Sequence, residues 1–161
     1  MKPSVDVSKN NASSWHTKVL IIEDNDDQWL LIQNAMQRVL SGVTCVRVAT
    51  PEEAIDLLYE WNHQEWELPK LILLDLYLPT NEAGWELLMH IKGMRSPINW
   101  IPVVVLSSSA NGDDILKAYR LGASSYLVKP YRISDWFTYF RELKTYWWET
   151  ASLPPLRFTW G

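Results

Sequence analysis

Short apolar runs, several rich in β-branched residues, alternate along this chain with longer stretches in which apolar residues recur every three to four positions. The runs at 18–23 (KVLIIE), 43–48 (VTCVRV), 71–76 (LILLDL), 102–106 (PVVVL) and 124–128 (SSYLV) read as strands. Three are almost wholly apolar, as strands covered on both faces should be, and are expected at the centre of the sheet. Between them, Trp29, Ile32, Met36 and Val39 share one helical face, and Ala54, Leu57, Leu58 and Trp61 share another. Regular alternation of strand and helix predicts βαβ units, and so an α/β fold with a doubly wound five-stranded parallel sheet and helices on both faces.

Local signals place the helix ends. Thr50 as N-cap, Pro51 at the first helical position and Glu53 at the third form a capping box with the favoured proline. The third helix is expected to follow Gly84 (WELLMHIK), and the fourth to run from about Asp113 to Leu121 with Gly122 as a left-handed stop. The fifth should begin near Ser134 and present Trp136, Phe137, Phe140, Leu143 and Trp147 as one apolar stripe. Residues 1–15 are polar, lack an apolar stretch of signal-peptide type and read as a flexible leader, which makes the Asn11-Ala12-Ser13 sequon a chance match. Residues 16–148 form the domain; 149–161 lose the helical pattern at Pro154 and Pro155 but keep Leu156, Phe158 and Trp160. That apolar tail should pack on its own domain or on a partner.

Composition narrows the function classes. At 161 residues there is room for one domain and no separate output domain is expected. A 47% hydrophobic and 21% charged composition supports a packed core, and a net charge of −4 lacks the electrostatic drive for nucleic acid. The single Cys45 excludes an intrachain disulfide, and no apolar run is long enough to cross a bilayer, so a cytoplasmic protein without membrane contact is expected. His16, His63 and His90 have no metal-ligand spacing and read as surface imidazoles.

Open parallel sheets bind ligands outside the carboxyl ends of their strands, so the polar residues at which each apolar run stops are the candidates. The first run ends in Glu23-Asp24, the third carries Asp75, the fourth stops at Ser107 and the fifth at Lys129-Pro130. Three clustered carboxylates repel one another unless a cation neutralises them. Mg²⁺ suits oxygen donors, with Asp24 and Asp75 as direct ligands and Glu23 acting through water. A carboxylate beside Mg²⁺ and the Lys129 ammonium is a competent phosphoryl acceptor, because both cations stabilise charge on the transferring group. Ser107 is placed to donate its hydroxyl to a phosphoryl oxygen once the group is attached, which makes a switch.

These residues resemble the receiver domains of two-component response regulators, of the CheY type. IIEDN, LLDLYLP, VVVLSSS and GASSYLVKP occur in the family's order and spacing, and the resemblance covers roughly residues 16–148. It implies sheet order 2-1-3-4-5, Asp75 as the phosphorylated residue, Glu23 and Asp24 as the acidic pair, and the Tyr77 carbonyl completing the Mg²⁺ site. It further implies phosphoryl-binding and switch roles for Ser107, Ser108, Tyr126 and Lys129, and a cis peptide before Pro130. Within the family the chain is most similar to stand-alone receivers partnered with bacterial phytochrome kinases, through the NHQEWELPK excursion, the ILLDLYLP stretch and a last helix closing on Tyr146-Trp147. That implies a light-sensing histidine kinase as partner and a possible homodimer contact through the last helix and tail. Two departures stand out: Gly84 lies one residue further from Asp75 than usual, lengthening loop 79–83, and the bulky Tyr77 two residues past Asp75 should shield an acyl phosphate and slow its hydrolysis.

Competing functions fare worse. A phosphatase with an Asp nucleophile needs an acid for the leaving group, usually an Asp two residues on, where this chain has Tyr77. A flavodoxin-type carrier needs a Ser/Thr/Gly-rich phosphate loop after the first strand, where Glu23-Asp24-Asn25-Asp26-Asp27 would repel phosphate. The expected function is therefore a phosphoacceptor signalling protein rather than an enzyme, able only to phosphorylate itself with Mg²⁺ and to dephosphorylate itself slowly. The alternative is a pseudo-receiver, the same fold used as a phosphorylation-independent binding module.

Overall fold

The computed structural model describes residues 17–64 and 67–154. Strands β1 (Lys18–Ile22), β2 (Thr44–Val48), β3 (Leu71–Asp75), β4 (Val103–Ser107) and β5 (Ser125–Val128) form one parallel sheet in the order β2-β1-β3-β4-β5. Helices α1 (Asp26–Val39), α2 (Pro51–Asn62), α3 (Asn81–Gly93) and α4 (Gly112–Arg120) connect successive strands, and α5 (Ile133–Lys144) follows the last. The expected doubly wound five-stranded fold is the one observed. Strand order reverses beside β1, and the crevice at the carboxyl ends of β1 and β3 is where this topology opens a binding site.

The two-residue period of the strands divides the core. Leu20, Ile22, Ile72, Leu74, Val103 and Val105 pack against Ala54, Leu58, Leu87, Leu88 and Ile91 on one side of the sheet. Val19, Ile21, Leu71, Leu73, Val104 and Leu106 pack against Ile32, Met36, Trp136, Phe140 and Leu143 on the other. Every residue of β3 and β4 is buried, while the edge strands β2 and β5 are mostly half-buried. Trp61 and Trp136 lie in the core as expected, whereas Trp29 is half-buried beneath the Arg47 guanidinium, 5.8 Å from its ring centroid. Among the described residues no helix is long and apolar enough to cross a membrane.

Capping explains where the helices start. Asn25 Oδ1 accepts from the Gln28 amide at 2.9 Å, and Asp26 and Asp27 place negative charge on the first turn of α1. Thr50 Oγ1 accepts from Glu53 N at 3.2 Å, while the Glu53 carboxylate accepts from Ala49 N at 3.0 Å, one residue beyond the usual capping-box partner. Gly122 stops α4 at φ +101°.

Helix α3 departs from expectation. Its N-cap is Thr80, whose hydroxyl accepts from Ala83 N at 3.3 Å, so residues 81–83 belong to the helix and not to a loop. Gly84 lies inside the helix because the helix is pressed onto the chain leaving β3: a Cβ there would sit 1.8 Å from the Leu76 carbonyl oxygen. Its glycine serves close approach, not helix breaking.

Beyond α5 the chain continues through a π-helical segment, Thr145–Thr150. Trp147 is buried, Trp148, Ala151 and Leu153 pack on the α1/α5 side of the core, and Lys70 Nζ lies 5.3 Å from the Trp148 ring centroid. The start of the tail thus folds onto its own domain. The leader expected at 1–15, and Leu156, Phe158 and Trp160, lie outside the described residues.

Candidate functional site

Four strand ends converge on one edge of the sheet. Glu23 follows β1 directly, its N–H donating to Val48 O at 3.0 Å; Asp75 and Ser107 are the last residues of β3 and β4; Lys129 follows β5, its N–H donating to Ser107 O at 2.8 Å. Asp75, Ser107 and Lys129, with Asp24, Tyr77 and Ser108, line an open cleft of about 610 Å³, beneath which Glu23 is buried. Burial differs along the acidic set: Glu23 is fully buried, Asp75 nearly so, and Asp24 half-buried.

The acidic cluster is electrostatically unfinished. One carboxylate oxygen from each of Glu23, Asp24 and Asp75 lies within 4.8 Å of the others, a donor set that could hold a metal ion. Glu23 Oε1 accepts from Asn25 N at 3.0 Å, but its buried Oε2 has no hydrogen-bond partner. Burial, reinforced by the neighbouring Asp75 charge and opposed by Lys129, pushes the Glu23 carboxyl up to about 8. An orphaned buried carboxylate oxygen beside two more carboxylates fits a hard divalent cation.

Lys129 supplies the one cation seen inside the cluster among the described residues. Its Nζ lies 3.0 Å from Asp75 Oδ2 and 3.6 Å from Glu23 Oε2, and it donates to Gln28 Oε1 on α1. Asp75 Oδ1 accepts from Tyr77 N at 3.1 Å, and the Tyr77 ring stands at the cleft rim, 60% exposed. A carboxylate oriented by a backbone N–H and an ammonium, at the floor of an open cleft, can attack an electrophile delivered from solvent.

Ser107 and Tyr126 meet through a residue that the sequence motif alone did not single out. Ser107 Oγ accepts from Ser109 N at 3.1 Å, Ser109 Oγ donates to Asp114 Oδ2 at 2.6 Å, and the Tyr126 hydroxyl donates to Ser109 O at 2.8 Å. Ser108 is exposed on the cleft wall. Gln28 also went unread, since nothing in its local sequence marks a partner 101 residues away.

One expectation is corrected. Among the described residues the cis peptide bonds are Leu78–Pro79 and Ser96–Pro97, so the bond before Pro130 is trans. Trans is the intrinsically favoured form of an X–Pro bond, and with it Lys129 already reaches both Asp75 Oδ2 and, through its backbone, Ser107 O. His63 and His90 lie apart from the acidic cluster; His90 instead makes an edge contact with Tyr59.

Comparison with known proteins places this geometry. The model of the response regulator receiver domain matches residues 19–141. The probable methanogenesis regulatory protein FilR2 of Methanothrix harundinacea is 35% identical over 129 residues, 80% of this chain and 82% of its own length. Response regulator Rcp1 of Synechocystis is 32% identical over 137 residues, 84% of this chain and 92% of its own. Among solved structures, the phosphorylated cyanobacterial phytochrome response regulator RcpA superposes with a TM-score of 0.76 at 36% identity, over 87% of this chain and 99% of that one. The Mn²⁺-bound form of Rcp1 gives 0.72 at 31%, over 86% and 99%. The chain belongs to the receiver domains of two-component response regulators and is a response regulator.

Proposed function

We propose that Asp75 accepts a phosphoryl group from the histidine of a sensor kinase, with Mg²⁺ held by Glu23, Asp24, Asp75 and the Tyr77 carbonyl. The observation that carries this reading is the position of Asp75, between the Lys129 ammonium at 3.0 Å and an acidic pair whose buried oxygen lacks a partner. A carboxylate oxygen of Asp75 attacks the phosphorus as the phosphorus–nitrogen bond to the kinase histidine breaks, and the leaving imidazole takes up a proton. A Mg²⁺ ion held there would neutralise negative charge on the phosphoryl oxygens. Lys129 contributes a second point charge, and Ser107 and Ser108 supply hydroxyls at the cleft wall.

The signal then passes as changed protein contacts. Ser107 Oγ accepts from Ser109 N while its own O–H is free to donate to a phosphoryl oxygen, so a shift of Ser107 toward that oxygen pulls on Ser109, which also holds the Tyr126 hydroxyl and Asp114 at the start of α4. A movement at the cleft is thereby coupled to the surface formed by α4 and β5. The description of RcpA as a phytochrome response regulator supports a phytochrome-type kinase as partner, and a cytoplasmic location belongs to the same proposal. A homodimer contact through α5 and the tail remains part of this reading, as do the leader at 1–15 and the domain at 16–148. The protein is a phosphoacceptor rather than an enzyme, acquiring phosphate from small acyl phosphates and hydrolysing it slowly behind Tyr77. No residue of the constellation is missing, so nothing favours the pseudo-receiver alternative.

Intact mass after incubation with acetyl phosphate tests the reading. One added phosphoryl group in Mg²⁺, absent with chelator and absent in Asp75→Asn, is expected. Unmodified protein under all conditions overturns it.

A further inference from the structure

The side chain of Gln28 closes a ring of contacts around the phosphoacceptor site. The Glu23 carboxylate accepts from Asn25 N, Asn25 Oδ1 accepts from Gln28 N, Gln28 Oε1 accepts from Lys129 Nζ, and Lys129 returns to Asp75 and Glu23. The polarity of the Gln28 contact is fixed by chemistry: an ammonium has donors only, so the amide must present its carbonyl oxygen. Lysine is a flexible four-carbon stem ending in a point charge, and its head stays where its acceptors hold it. On the strand side the ammonium faces two carboxylates that a bound cation would engage, Asp75 within hydrogen-bond distance and Glu23 as a longer ion pair. Gln28 Oε1 is the neutral group of the three, and it approaches from a different element, α1.

We propose that Gln28 is a positioning residue, whose amide oxygen holds the Lys129 ammonium beside Asp75 so that the charge is in place when the phosphoryl group arrives. The neutrality of the amide matters. A carboxylate at this place would form a competing ion pair with Lys129, whereas the amide orients the ammonium and leaves its charge for the phosphoryl oxygens. Position 28 is well placed for this because its backbone is pinned by the Asn25 cap, in the first turn of α1 and four residues after Asp24. The inference rests on the reading of Asp75 as phosphoacceptor.

The test is a double-mutant cycle between Gln28→Met and Lys129→Met, in excess Mg²⁺, following the rate of mass gain from acetyl phosphate. Methionine keeps the length and helix propensity of glutamine but lacks the carbonyl acceptor. Gln28→Met alone is expected to slow phosphoryl acquisition about tenfold, which corresponds to about 1.4 kcal/mol of activation free energy. In the Lys129→Met background the same change is expected to do nothing further, since its effect runs through that ammonium. Mg²⁺ affinity, read by titration calorimetry, should stay within twofold of wild type. Gln28→Leu, a second side chain without an acceptor, should repeat the result. An equal loss in both Lys129 backgrounds, a Mg²⁺ affinity that falls in parallel, or an unchanged rate in Gln28→Met overturns the proposal while the phosphoacceptor reading stands. Wild type that gains no mass removes the phosphoacceptor reading itself, and this inference with it.

Discussion

Replacing Gly84 by alanine sets two effects against each other. Helix propensity alone favours alanine by about 1 kcal/mol in a helix interior. Against it, the new Cβ would lie 1.8 Å from the Leu76 carbonyl oxygen and 2.6 Å from its carbonyl carbon. These are main-chain atoms next to the end of β3, so no rotamer change relieves the clash. Ordinary contact begins near 3.4 Å, leaving the approach short by about 1.6 Å, and either α3 or the segment after Asp75 must move by that much. Overpacking by far smaller amounts costs about 1–3 kcal/mol, so the steric effect wins and a net loss of about 3 kcal/mol is expected. Gly93, at the end of the same helix, has nothing within 4 Å of an ideal Cβ and isolates the propensity effect. There Gly93→Ala should gain about 0.5 kcal/mol. Urea unfolding followed by tryptophan fluorescence measures both. A Gly84→Ala protein as stable as wild type, or a Gly93→Ala protein that loses as much, refutes the packing argument.

Four further outcomes follow from the site. Lys129→Met leaves Glu23 and Asp75 close together without their cation, so in chelator at pH 8 it should lose about 2 kcal/mol of stability, less at pH 5 where Glu23 holds a proton, and Mg²⁺ should restore most of it; a loss independent of both pH and metal contradicts this. Because the folded Glu23 carboxyl is raised from 4.5 to about 8, metal-free stability should be fullest below pH 4.5 as far as this group decides, and should fall as pH rises toward 8. Mg²⁺ binding displaces that proton, so calorimetric affinity should climb by up to about tenfold per pH unit below 8 and level off above it, and a flat profile would be inconsistent with a protonated Glu23. Tyr77→Asn removes the ring at the cleft rim and should shorten the phosphoryl lifetime several-fold as followed by mass; an unchanged lifetime removes shielding as its cause.

The strands were legible because their burial is decided by their own composition: LILLD of β3 and VVVLS of β4 are buried along their whole length, and both were read to within a residue. The start of α2 was legible because Thr50, Pro51 and Glu53 act within one turn. The start of α3 carried the same kind of signal in Thr80, yet Gly84 read as a boundary because its real constraint, the Leu76 carbonyl, comes from another element. The strand-end residues Glu23, Asp24, Asp75, Ser107 and Lys129 were readable from topology, since a parallel sheet brings its carboxyl ends together. Gln28 and Ser109 were not, because a contact across 101 residues and a backbone carbonyl leave no mark on local sequence. The isomer before Pro130 likewise depends on what the surrounding loop allows.

Chemical trapping at the acceptor tests the central claim most directly. Protein treated with acetyl phosphate and Mg²⁺, then reduced with borohydride, converts an aspartyl phosphate to homoserine, which peptide mass mapping locates. Homoserine at position 75, and only after phosphorylation, is the expected result. Homoserine at Asp24 or at another carboxylate, with Asp75 intact, would contradict the assignment of the phosphoacceptor.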